Sequence, residues 1–256
     1  LLILQLAEVL TLSEQSESKG TFKGKIMSEG EITTKKSSGI SPTGFLLRRI
    51  HSLTGIVPIG GFLLFHFFEN ASARHGAAAF DETVEKIASM PYMLAAELGI
   101  LMVPILFHAI YGLFMRSNAS YNTAQWNHYR NFAYTLQRLT GFIAFIYIFY
   151  HVMSTRVWSV FVKGEQINYA DMHQMLSVPW IFAFYLIGII SVVYHFANGI
   201  WSFSVTWGLV TSAEGQKRLS YLSVLIFAVL AVVGCDIAWT FRYNESFLSV
   251  LTGGAL

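Results

Sequence analysis

The chain has 256 residues, of which 54% are hydrophobic, 15% aromatic and only 12% charged, with a formal net charge of +2. Soluble domains are about a quarter charged, so an ordinary water-soluble fold is excluded, and nucleic acid is not expected as a partner. The single cysteine, Cys235, lies in an apolar run and excludes a disulfide framework, an iron–sulfur cluster and a Cys-x-x-Cys-His haem attachment within this chain.

Residues 1–41 read as an unstructured tail. Leu1 to Leu12 is apolar but lacks a charged start and an obvious cleavage site, so it does not read as a signal peptide. Met27 is a natural start, and residues 1–26 are expected to be upstream translated sequence or unstructured. Residues 42–256 form the second unit, an all-α integral membrane bundle with five spanning segments at Phe45–Phe68, Tyr92–Met115, Tyr134–Met153, Pro179–Trp207 and Leu219–Phe241. Each has about 20 residues or more, enough to cross a hydrocarbon core of about 30 Å. The stretch from Val178 to Ala213 has no Asp, Glu, Lys or Arg at all.

Basic residues orient the bundle. With the amino terminus cytoplasmic, the inner side holds Lys19, Lys23, Lys25, Lys35, Lys36, Arg48, Arg49, Arg116, Arg130, Arg138, Lys217 and Arg218, while the outer side holds Arg74, Lys86, Arg156, Lys163 and Arg242. The carboxyl terminus then lies outside.

Four of the eight histidines fall within the segments, one on each of the first four: His66, His108, His151 and His195, spaced by 42, 43 and 44 residues. Alternate segments run in opposite directions. His66 is 17 residues past Arg49, near the outer end, and His108 is 17 past Pro91, near the inner end. The same count makes His151 outer and His195 inner. Two layers of two histidines result.

A weak repeat accompanies them. Leu53-Thr54-Gly55 matches Leu139-Thr140-Gly141, and His108-Ala-Ile-Tyr-Gly112 matches His195-Phe-Ala-Asn-Gly199. A glycine four residues past a histidine shares its helix face and leaves room for a flat ring. Gly55, 11 residues before His66, returns to the same face, whereas Gly141, 10 before His151, is rotated off it.

Paired imidazoles fill both axial positions of a haem iron, leaving no site for oxygen and pointing to electron transfer. Two layers would put two b-type haems roughly 15 Å apart by the helix rise. The bland alternative is a histidine bridging two helices as a satisfied polar group. Zinc would be short of ligands with two histidines per layer. His51, with Ser52, and Arg138 near the inner interface are candidate contacts to a haem propionate; a wet interfacial position is the other reading of His51, and snorkelling that of Arg138. Arg156, five residues past His151, is a candidate for an outer propionate or a reduced quinone oxygen, or else an interface anchor. His75 and His173 read as outer-loop residues and His128 as an inner-loop one. The aromatic run Phe142–Tyr150 reads as packing surface. Glu97 and Asp236, in the outer parts of the second and fifth segments, could relay protons to a quinone, but an inert interfacial position is favoured.

Three stretches carry a family resemblance: Arg48-Arg49-Ile50-His51-Ser52-Leu53-Thr54-Gly55; Tyr129-Arg130-Asn131-Phe132 with Leu136-Gln137-Arg138-Leu139-Thr140-Gly141; and His195-Phe-Ala-Asn-Gly-Ile-Trp-Ser-Phe-Ser-Val-Thr-Trp-Gly208. Over about residues 42–241 the chain resembles the cytochrome b anchor subunits of succinate dehydrogenase and fumarate reductase, of the single-subunit, five-helix, di-haem kind found in bacteria that reduce menaquinone. The resemblance implies that His108 and His195 bind an inner, higher-potential haem b, and that His66 and His151 bind an outer, lower-potential one. It implies a flavoprotein and an iron–sulfur protein as partners on the cytoplasmic face of the bacterial membrane, with electrons passing from succinate through both haems to menaquinone. The tail before Ser41 departs from the family pattern. An anchor of a hydrogenase or formate dehydrogenase, and a haem-free transporter, are the other readings.

Overall fold

The structure, a computed structural model, describes residues 42–117, 123 and 128–251. The expectations for the tail, including residues 1–26, lie outside the described residues. Five helices are long and apolar enough to cross a membrane: α1 (Pro42–His75), α3 (Met93–Ser117), α4 (Tyr129–Lys163), α6 (Pro179–Thr206) and α7 (Ala213–Tyr243). Three shorter helices join them: α2 (Ala77–Ala88), α5 (Tyr169–Ser177) and α8 (Phe247–Leu251).

Three of the spanning helices, α1, α4 and α7, outrun the expected segments at both ends, while α3 and α6 keep to theirs within two residues. α1 continues to His75 through a tight last turn, Ala71–His75, and α4 starts at Tyr129 and runs to Lys163. Their ends carry polar residues that hydropathy scores against but that a helix accommodates at the membrane surface. Local chemistry sets several boundaries. Pro179 occupies the first turn of α6, where its missing N–H costs nothing. The Ser212 hydroxyl accepts from Gly215 N (3.1 Å) and caps α7. Asn168 and Asp171 form a reciprocal capping box on α5.

Three of the spans widen into π-helical turns at Gly55–Ile59, Glu97–Met102 and Met153–Lys163. Pro58 lies inside the first and Pro104 just beyond the second. A proline cannot donate back to the preceding turn and crowds its carbonyl, so the helix takes up an extra residue there.

α6 is the hub, packed against α4 on one side and α7 on another, with α1 also touching it. Gly188, Ser191, Ala197 and Ser204 are buried along it; small side chains let membrane helices approach closely. α3 packs mainly on α1, and none of its residues is fully buried. The main cluster of buried apolar side chains includes edge-to-face pairs of Phe80 with Tyr169 and Phe241 and of Tyr147 with Tyr185. It lies in the half expected to be outer, inner and outer denoting throughout the sides expected from the sequence.

The outer end is also bolted by polar contacts. Asp236, fully buried, pairs with Arg74 (2.7 Å) and accepts from the Ser246 hydroxyl (2.9 Å) and Leu248 N (3.1 Å). It thereby joins α1, α7 and α8. Its full burial corrects the expectation of an interfacial position for Asp236, whose partners make it a structural tie. Tyr169 adds bonds from its N–H to Asp81 (2.7 Å) and from its hydroxyl to Thr240 O (3.0 Å), and burial pushes that phenol's pKa up. His173, on α5, bonds to Phe241 O (2.7 Å).

Candidate haem-binding site

α1, α3, α4 and α6 each present one histidine to the space between them. The rings of His66 and His151 lie 5.8 Å apart between centroids, at an interplanar angle of 71°. Those of His108 and His195 lie 6.1 Å apart at 88°. Two metal–nitrogen bonds of about 2 Å, end to end, would put opposed imidazole centroids roughly 6 Å apart. Both gaps fit an iron held between two axial histidines.

The inner pair is seated by a device that appears twice. His108 Nδ1 lies 2.9 Å from the carbonyl of His51, and His195 Nδ1 lies 3.0 Å from the carbonyl of Gln137. A carbonyl only accepts, so each Nδ1 carries its proton and each Nε2 keeps a lone pair for a metal. One turn beyond each carbonyl stands a glycine. A Cβ on Gly55 would come within 2.5 Å of His108 Cε1, and one on Gly141 within 2.8 Å of His195 Cε1. Both glycines are cradles for the inner ligand rings.

This changes the reading of Gly141 as rotated off-face. The 11 residues from Gly55 to His66 cross the π turn Gly55–Ile59, whereas the 10 from Gly141 to His151 run through regular α-helix. A π turn absorbs an extra residue, so the two separations are equivalent and the halves match. Gly112 and Gly199 do not face a histidine of their own layer. The nearest side chain to Gly112 is the His51 ring (3.1 Å), and to Gly199 the Gln137 amide (3.7 Å).

Side chains reach the Nδ1 atoms of the inner pair too, Thr54 Oγ1 at 3.4 Å from His108 Nδ1 and the Gln137 amide nitrogen at 3.1 Å from His195 Nδ1, whereas the Nδ1 atoms of the outer pair meet side chains without a carbonyl. The Asn70 amide lies 3.2 Å from His66 Nδ1, and the Tyr185 hydroxyl 3.2 Å from His151 Nδ1. Phe62 stacks on His66 and Tyr147 on His151. Gly188 allows the Tyr147 contact, because a Cβ there would overlap the phenol ring.

The other candidate residues divide between the two ends. His51 stacks on His108 at 3.9 Å, and its buried Nδ1 has no hydrogen-bond partner in the structure. Arg138 lies over the Tyr134 ring at 3.5 Å. Ser52 donates to Arg49 O (2.9 Å) and accepts from Trp207 Nε1 (3.0 Å), so its hydroxyl proton is already used. Sequence reasoning passed over Arg49 and Arg116, which stack on Trp207 and Phe142 with their Nε atoms buried and unbonded. Orphaned guanidinium donors at the inner end suit carboxylate groups such as propionates.

At the outer end Arg156 holds Glu97 (2.6 Å) and donates to Gln166 (2.9 Å). It links the π turns of α3 and α4. On α4, a cavity of about 410 Å³ is lined by Tyr150, Met153, Ser154 and Trp158. A second, of about 180 Å³, shares Ser154 and Trp158 and reaches Lys163 and Asp171.

Residues 115–235 match the family described as succinate dehydrogenase/fumarate reductase transmembrane subunit. The chain is also similar to the succinate dehydrogenase cytochrome b558 subunit of Bacillus subtilis (strain 168), with 37% identity over 197 residues, 77% of this chain and 96% of that protein.

Proposed function

The chain belongs to the succinate dehydrogenase/fumarate reductase transmembrane-subunit family, and from that premise we propose that it carries electrons across the membrane through two b haems to menaquinone. As a cytochrome b anchor of succinate dehydrogenase it is one membrane-embedded part of an oxidoreductase. Its proposed partners are the flavoprotein and iron–sulfur subunits, docked at the inner ends of the helices, and succinate chemistry belongs to them. The proposed setting is the bacterial cytoplasmic membrane, with the amino terminus inside and the carboxyl terminus outside. Residues 42–256 form the di-haem unit and residues 1–41 a tail.

The observation that carries this reading is the pair of facing histidines at each of two depths. His108 and His195 would hold the inner haem and His66 and His151 the outer. When bound, the haems supply one-electron carriage between the two faces. The chain's own residues fix the geometry: carbonyls and glycines hold the inner rings, and Asn70 and Tyr185 the outer ones. His51, Arg138, Arg49 and Arg116 are placed for inner propionates; Ser52 would join them only by giving up its bond to Arg49 O. The outer cavity bordered by Ser154 and Trp158 is the proposed menaquinone site. Tyr150, next to His151, lines it too. The family membership favours this reading over a hydrogenase or formate dehydrogenase anchor and over a transporter.

The deciding experiment is alanine replacement of each histidine, followed by haem quantification and redox titration of the purified complex. His66→Ala or His151→Ala should remove the outer haem and spare most of the inner; His108→Ala or His195→Ala should do the reverse. One substitution from each layer removing the same haem would overturn the pairing.

A further inference from the structure

The four facing histidines differ in what stands behind the ring. With Nε2 toward a metal, each Nδ1 carries a proton that needs an acceptor. For His108 and His195 a neutral main-chain carbonyl serves, and for His151 the oxygen of the Tyr185 hydroxyl, 3.2 Å away. His66 has neither. The Asn70 amide nitrogen, 3.2 Å from its Nδ1 and 3.5 Å from its Nε2, donates to His66 O (2.8 Å). That nitrogen is a donor and cannot accept a proton, and turning the amide round would set its oxygen against the carbonyl oxygen. What remains is the Glu69 carboxylate, one turn along α1, with Oε2 3.9 Å from His66 Nδ1 and a side chain 17% exposed. Among the described residues, His66 alone of the four has a carboxylate within 4 Å. Arg156 and Arg74 neutralise Glu97 and Asp236, whereas no described Lys or Arg comes within 4 Å of Glu69.

We propose that Glu69 is a positioning residue of the outer haem: its carboxylate is the acceptor for the Nδ1–H of His66, and its unbalanced charge holds the outer midpoint potential below the value the two histidines alone would set. The proposal rests on the assignment of His66 as an outer-haem ligand. At 3.9 Å the contact is electrostatic, and a side-chain rotation would make it a charge-assisted hydrogen bond, roughly twice as strong as a neutral one. A carboxylate behind an imidazole makes the ring a stronger electron donor to its metal. The same negative charge, in surroundings of low dielectric, favours the more positive ferric state. Both effects point the same way. They act on His66 and not on His151, so the two ligands of the outer haem are unequal, one backed by a charge and the other by a phenol.

The test uses the complete membrane complex, titrated anaerobically at one fixed, mildly alkaline pH, where carboxyl groups are ionised. Midpoint potentials of both haems are read from absorbance in the parent, Glu69→Gln, Glu69→Asp and Glu82→Gln, the last replacing an exposed carboxylate on α2. Glu69→Gln should raise the outer midpoint and leave the inner one in place. Glu69→Asp, which keeps the charge but draws it back by one methylene, should raise it by less. Glu82→Gln should move neither. The near-infrared charge-transfer band of the ferric outer haem, which follows the hydrogen bonding of an axial imidazole, should shift in Glu69→Gln. An unshifted band, or an outer midpoint unshifted or lowered in Glu69→Gln, would overturn the proposal. If Glu69→Gln fails to hold the outer haem, Glu69→Asp decides, and a midpoint at or below the parent's overturns it. Retention of both haems by His66→Ala would instead remove the ligand assignment on which the proposal rests.

Discussion

Gly55 and Gly141 leave no room for a methyl group, because the rings of His108 and His195 already fill the space. Gly55→Ala or Gly141→Ala should therefore displace an inner ligand and lower inner-haem content while sparing the outer haem, as read from reduced-minus-oxidised spectra of the purified complex. Arg156→Gln leaves the Glu97 carboxylate without its ion-pair partner. It should slow menaquinone reduction and leave succinate oxidation with a soluble dye intact, because a dye can accept electrons before the haems. Unchanged quinone kinetics would reduce the Arg156–Glu97 pair to an anchor. The four histidines were legible in the sequence because ionisable groups stand out in apolar segments. Their Nδ1 partners were not, since a carbonyl leaves no mark on residue identity and Tyr185 is 34 residues from His151. Gly141 was misjudged for a different reason: counting on an ideal helix cannot see the extra residue in the π turn of α1.

The spanning elements followed from hydropathy, but their polar ends and the short helices α2, α5 and α8 did not. Those pieces owe their position to tertiary bonds rather than to long apolar runs. α8 is held at its start by Ser246 on Asp236, and α5 by Tyr169 and His173 on α7. The Arg74–Asp236 pair concentrates that dependence. Removing one partner of a buried ion pair typically costs about 3–5 kcal/mol, while replacing both with packed apolar groups costs far less. Arg74→Met or Asp236→Asn should lower the thermal unfolding midpoint of the complex in detergent, with both haem spectra retained below it. The double replacement should recover part of the loss. Equal midpoints in all three would mean that α8 and the end of α1 contribute little to the fold.

The molecule as a whole is two helix pairs, α1–α3 and α4–α6, each offering one inner and one outer histidine, with α7 closing the side of α6. Five crossings from a cytoplasmic start predict that a reporter fused to the end of the chain reads as outside the cytoplasm; a cytoplasmic signal would contradict the orientation. The two-layer arrangement was readable from spacing alone. The difference in how the layers are secured was not, and it bears on how such a protein changes over generations. No single codon change can delete a main-chain carbonyl, so part of each seat of His108 and His195 is shielded from mutation, although Thr54, Gln137 and the two glycines are not. Asn70 and Tyr185 can each be exchanged by altering a few bases. Variation among descendants of this chain should therefore alter the seats of His66 and His151 more readily than those of His108 and His195.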